Sequence, residues 1–137
     1  MFVTGAIPEN ILGLTAADSK DAGAVAVFVG KVRADIIDDR EVESIEFSAQ
    51  QTIAELQAAE IIEESKKRFG IFHAEIWHSL GNVKAGEPCF LVKVFGKHRR
   101  ESFSALPFIV DEVKHRCPVF GKEIFSGGDY KWKENTA

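Results

Sequence analysis

The sequence is poor in several of the features that announce a protein class. Its 137 residues hold two cysteines, one methionine, one tyrosine and four prolines. The cysteines, Cys89 and Cys117, have no metal-ligand spacing, which excludes a disulfide-stapled miniprotein and a zinc module. No apolar run approaches the ~20 residues needed to cross a bilayer, so no membrane contact is expected. The N-terminus MFVTGAIPEN lacks the basic leader of a signal peptide, so the expectation is a cytoplasmic chain. Repeats, low-complexity tracts and linkers are missing too, and residues 1–137 read as a single domain. There is also no nucleophile elbow, no phosphate-binding loop and no dinucleotide fingerprint. With no metal-ligand spacing either, a serine hydrolase, a nucleoside triphosphatase and a metalloenzyme find little support.

What is present is a chain 45% hydrophobic and 28% charged with eleven phenylalanines, enough to build an ordinary core. The net charge of −4 is unevenly spread. Residues 93–122 carry seven Lys/Arg against three acids, a surplus of four, which leaves −8 for the rest. A basic stretch on an acidic protein points to a local anion site rather than to nucleic acid.

Hydrophobic patterning predicts an α+β fold with two main helices on a mainly antiparallel sheet. Ala24–Arg33 reads as a central strand, followed by an acidic loop over 34–41 and a strand near Val42–Ser48. A helix over 50–69 turns Ala54, Ala58, Ile61, Ile62, Ser65 and Phe69 inward and ends with three cations before a Gly70 cap. Strands near Phe72–His78 and Cys89–Phe95 flank a loop holding Gly81 and Gly86. A second helix, near Arg100–His115, buries Phe103, Leu106, Val110 and Val113, and Pro107 predicts a kink or a late start. A hairpin, Val119–Phe125 and Tyr130–Lys133, closes the chain around Gly127–Gly128–Asp129.

Five features suit anion chemistry, each with a plainer reading beside it. Lys31 and Arg33 occupy alternate positions at a strand end, where Gly30 permits close approach; an exposed cationic strand end looks the same. The Lys97–Arg100 run opens a helix, where amide N–H groups and the Arg99 fork can hold a phosphate, or simply be solvated. Lys114 near the same helix's C-terminus complements the dipole. Lys122, among apolar strand residues, suits a base, a nucleophile or an edge-strand gatekeeper. His78 reads as a hydrogen-bonded structural histidine before a catalytic one. Cys89 reads as a core residue, and Cys117 as a structural thiol before a reactive one.

These pieces also occur together elsewhere. GAVAVFVGKVR (Gly23–Arg33), the Gly81…Gly86–Glu87 loop, His98–Arg99, the run Phe108–Lys114, and Pro118…Lys122–Glu123 with Trp132 after it resemble the MoaE family. This is the large, catalytic subunit of molybdopterin synthase, and the likeness runs in order over about residues 20–133. It implies an α/β-hammerhead-like fold with an added β subdomain. It implies an enzyme, a sulfurtransferase of molybdenum cofactor biosynthesis without a resident metal or cofactor. Such an enzyme moves sulfur from the Gly-Gly thiocarboxylate tail of a small ubiquitin-like subunit to cyclic pyranopterin monophosphate, forming the molybdopterin dithiolene. The large subunits form a homodimer, and a heterotetramer with two small subunits.

By the same resemblance, Lys114 and Lys122 are the catalytic lysines. Lys31, Arg33, His98, Arg99, Glu123 and Phe28 bind substrate, Phe28 as an apolar wall. The family's Trp-Lys-Lys/Arg-Glu run reads Phe120–Gly121–Lys122–Glu123 here. The lysine is thus one place late, on the opposite strand face unless a bulge at Gly121 restores it. On one continuous helix Arg99 and Lys114 lie roughly 22 Å apart, so each site is expected to join Lys114 and Lys122 of one subunit to His98 and Arg99 of the other. A non-catalytic module for the ubiquitin-like partner or a phosphorylated ligand is the alternative.

Overall fold

The computed structural model describes residues 1–13 and 20–134. In chain order its elements are β1 (Phe2–Thr4), α1 (Glu9–Leu12), β2 (Ala24–Lys31), β3 (Ile36–Ile37), β4 (Arg40–Ala49), α2 (Gln51–Phe69), β5 (His73–Lys84), β6 (Pro88–Gly96), α3 (Arg99–Arg116), β7 (Val119–Phe125) and β8 (Tyr130–Trp132). The strands join one sheet in the order β2-β6-β5-β4-β7-β8, with β1 parallel to β5 and β3 folded back on β4. Except for β1, every pairing is antiparallel, and the α+β class expected from the sequence is what the chain adopts.

β6 is the spine of the sheet. After Pro88 all of its residues are buried, among them Leu91, Val92 and Val94. Long β5 serves two neighbours in turn, pairing His73–His78 with β6 and Gly81–Lys84 with β4. It therefore runs straight through the predicted loop, crossing Gly81 at φ 77°. The acidic loop is instead a tight hairpin between β3 and β4, with Asp38 and Asp39 at φ 52° and 62°. Aspartate tolerates this left-handed backbone better than most residues.

α2 and α3 pack against each other and cover one face, α3 lying on β2 and β6. α2 turns Ala54, Ala58, Ile61 and Ser65 inward and ends at Gly70 in the left-handed conformation, as its pattern required. Arg116 at the end of α3 ties the two helices together through Gln57 (3.0 Å), Glu60 (3.2 Å) and Glu64 (2.7 Å) of α2. α3 runs unbroken across Pro107 and starts at Arg99, so the late start does not occur.

Its phase also differs from expectation. Phe103 is 65% exposed, and Ser102 and Ala105 are buried in its stead. The first turn of α3 sits hard against the sheet, and a Cβ at Gly96 would come within 2.4 Å of the Ser102 Oγ. Only a small side chain fits there, and the hydroxyl donates to the Ala24 carbonyl at 3.0 Å.

Candidate active site

A cavity of about 740 Å³ opens where the end of β2, the C-terminal turn of α3, the start of β7 and the residues after β8 meet. Its apolar side is a relay of rings. Phe28 meets Phe90 edge-on at 5.5 Å between centroids, Phe90 meets His78 at 5.4 Å, and His78 meets Phe47 edge-on at 4.9 Å. Its polar side carries Lys31, Arg33, Lys114 and Lys133.

The end of β2 is set by an irregularity. Opposite Gly30 and Lys31, β6 contributes Phe90 and Pro88, so Cys89 is an extra residue in the ladder. The bulge turns the Cys89 thiol toward the Gly30 carbonyl (3.6 Å) and ends the strand as Lys31 reaches the cavity. What approaches Gly30 closely is a pair of phenylalanine side chains: a Cβ there would lie 3.2 Å from Phe90 Cβ and 3.3 Å from the Phe28 ring. Arg33, just past the strand, lines the cavity while pairing with Asp35 at 3.2 Å.

His78 forms the floor. Its Nδ1–H donates to the Ser79 carbonyl at 2.8 Å, which fixes the tautomer and leaves Nε2 as the acceptor. Burial holds the ring below the ordinary histidine value, opposed by the Ser79 hydrogen bond and reinforced by the charge of Lys114. His78 is therefore a neutral imidazole at physiological pH. Both thiols line the cavity, and burial favours their protonated form. Burial pushes Cys117 up to about 11, and burial raises Cys89 although Lys133 and Lys114 pull the other way.

The basic stretch of residues 93–122 turns out not to be one patch. Lys93 is buried, its ammonium bonded to the Gly13 carbonyl. Arg116 touches the cavity but is committed to α2, and Lys114 faces the cavity directly.

His98 and Arg99 lie exposed at the opposite end of α3, outside the cavity of their own chain. There the His98 N–H donates to the Glu101 carboxylate at 2.9 Å. Lys122 does not line this cavity of its own chain. The β4–β7 ladder passes Gly121 without a bulge, pairing Phe47 with Gly121 and Glu46 with Lys122. Lys122 therefore takes the outer face, its Nζ 4.4 Å from the Tyr130 ring and 5.5 Å from the Trp132 ring. Glu123 points inward beside Ile45 but does not line the cavity. Lys133, which no sequence motif singles out, does line it; the hairpin turn carries the signal, since pairing Lys122 with Trp132 brings the Lys133 N–H to the Gly121 carbonyl. Among the described residues no group of three or more His, Cys, Asp or Glu side chains is arranged to hold a metal ion, and no helix is long and apolar enough to cross a membrane.

The model of the MoaE protein family matches residues 8–116. The chain belongs to the MoaE family. The molybdopterin synthase catalytic subunit of Pyrococcus abyssi is 40% identical over 116 residues, spanning 85% of this chain and 77% of that one. The protein of the same name from Thermoplasma volcanium is 35% identical over 82% of this chain and 81% of its own. Among solved structures, molybdopterin synthase from Staphylococcus aureus superposes with a TM-score of 0.84 at 25% identity, covering 97% of this chain and 95% of that one. The complex of subunits 1 and 2 of the Helicobacter pylori molybdopterin-converting factor gives 0.82 at 24% identity, covering 99% and 90%, a likeness of fold. In this chain the ring relay and the cationic rim meet at one mouth, by the C-terminal end of α3.

Proposed function

We propose that this MoaE chain is the catalytic subunit of a molybdopterin synthase, acting in the cytoplasm as one domain. It transfers sulfur from the C-terminal thiocarboxylate of a small ubiquitin-like subunit to cyclic pyranopterin monophosphate. The observation that carries the reading is the cavity itself: Lys31, Arg33 and Lys114, distant in sequence, face a wall of rings. A phosphorylated heterocycle needs both, flat apolar surface for its rings and cations for its phosphate.

In each transfer the thiocarboxylate sulfur attacks an oxygen-bearing side-chain carbon of the pterin, the C–O bond at that carbon breaks with its oxygen leaving as the opened phosphate ester or as water, and an acyl thioester remains. Water then adds at the acyl carbon, the C–S bond breaks, and the carrier departs as a carboxylate with the sulfur retained on the pterin. The tetrahedral intermediate of that hydrolysis is an oxyanion, which the Lys114 ammonium stabilises. Lys31 and Arg33 hold the phosphate and Phe28 packs on the ring system. The sulfur nucleophile comes from the partner, so neither cavity thiol is required.

His98 and Arg99 belong to this site only if a second subunit brings its α3 N-terminus to the cavity. The assembly inferred is accordingly a homodimer of large subunits with a small subunit at each end. The deciding assay combines the chain with thiocarboxylated small subunit and pyranopterin substrate: dithiolene formation is expected, and Lys114→Ala should lower it by about 100-fold or more. Tight binding of the small subunit with no product would instead identify a non-catalytic docking module, the reading that the outward Lys122 favours.

A further inference from the structure

Building on the sulfur-transfer reading, we propose that Lys133 supplies the second ammonium group of the active site, across the strand ladder from the position where a lysine was expected. The register of the terminal hairpin carries the argument. Lys122 stands opposite Trp132, and the next step of the ladder is made by the Lys133 N–H, which donates to the Gly121 carbonyl at 2.8 Å. Residues opposed in an antiparallel pair send their side chains to the same face, with Cβ positions about 5 Å apart. Gly121 shares its face with Phe47, and both line the cavity. Lys133 therefore projects over the space that a side chain at 121 would have used.

Two further observations agree. The floor beneath Gly121 is closely packed: a Cβ there would lie 3.1 Å from Ile45 Cγ2 and 3.4 Å from the Phe47 ring, so a lysine rooted at 121 would have to displace its neighbours. And the charge of Lys133, like that of Lys114, reaches the Cys89 thiol on the far wall. Lys114 from the helix and Lys133 from the strand thus approach one space from two sides. Together they hold the negative charge of the thiocarboxylate and of the oxyanion derived from it, while Lys122 packs on the aromatic rings of β8. The role is electrostatic, and Lys133 makes no covalent bond.

The test compares Lys133→Gln, Lys133→Arg and Lys122→Gln in the molybdopterin assay, with thermal unfolding and small-subunit binding as checks on the fold. Lys133→Gln is expected to slow product formation by roughly 10- to 100-fold, in the range for loss of one oxyanion-stabilising group. Lys133→Arg should retain most of the rate, and Lys122→Gln should stay within about twofold of wild type, as for a surface contact. A wild-type rate in Lys133→Gln, or an equal loss in Lys122→Gln, overturns the assignment. A second readout needs no turnover: the pH dependence of Cys89 alkylation, followed by mass spectrometry. Its midpoint should rise in Lys133→Gln and stay put in Lys122→Gln; an unmoved midpoint in both overturns the placement of Lys133. If the wild-type chain forms no product, the sulfur-transfer reading fails, and the Cys89 midpoint alone decides whether the Lys133 ammonium occupies the cavity.

Discussion

His78 illustrates how side-chain chemistry here follows from surroundings that no local pattern encodes. Desolvation dominates its titration and lowers it from the ordinary 6.5. The native state therefore binds fewer protons than the unfolded chain around that pH, so stability is fully present above about 6.5 and declines as the pH falls toward the native midpoint. Denaturant titrations between pH 5 and 7.5 should show this acid-side loss. The ring's midpoint, followed by NMR, should lie below 6.5 and move upward in Lys114→Ala, because removing a nearby positive charge favours the imidazolium; a midpoint at or above 6.5 would contradict the buried, Ser79-bonded ring. The sequence offered cations at 31, 33 and 114, which the structure brings to one cavity, while His78 read first as a structural histidine. Orientation was not legible there. Lys93 and Lys122 belong to the same basic stretch as Lys114, yet one is buried against the Gly13 carbonyl and the other lies on aromatic rings. Each direction is set by pairing partners far along the chain.

Helices were easier to read than strands, and for a physical reason. α2 satisfies its hydrogen bonds internally, so its inward stripe and its glycine cap can be found by local inspection; the observed helix begins at Gln51, one residue from expectation. β5 depends on β6 along one half and β4 along the other, and its passage through Gly81 makes sense only once both partners are known. The phase of α3 failed similarly, since Ser102 rather than Phe103 is buried wherever Gly96 brings the sheet too close for a ring. Pro107 lies exposed within α3 and lacks the N–H that would complete the helical ladder. Pro107→Ala restores that donor and is expected to raise unfolding stability by about 1–3 kcal/mol. Urea denaturation measures it, and no gain would mean that the helix already relaxes around the ring.

The length of α3 sets the geometry of the complete enzyme. Its ends lie roughly 25 Å apart, so His98 and Arg99 cannot reach the cavity that Lys114 of the same chain lines. If sites are shared between subunits, mixing Lys114→Ala with Arg99→Ala, each inactive alone, should recover about a quarter of the wild-type rate. Half of randomly assorted dimers are then mixed, and each keeps one intact site of two. Absence of recovery after subunit exchange would overturn shared sites, and an active Arg99→Ala homodimer would return Arg99 to a solvated helix end. The hairpin pairing of Gly121 with Lys133 bears on how such proteins diverge. Two backbone positions that face each other across a ladder offer interchangeable roots for one functional group, so a charge can migrate from strand to strand while the architecture stays still. A comparison made column by column would score the glycine as a loss; one made in space would find a lysine on the adjoining strand, facing the same cavity.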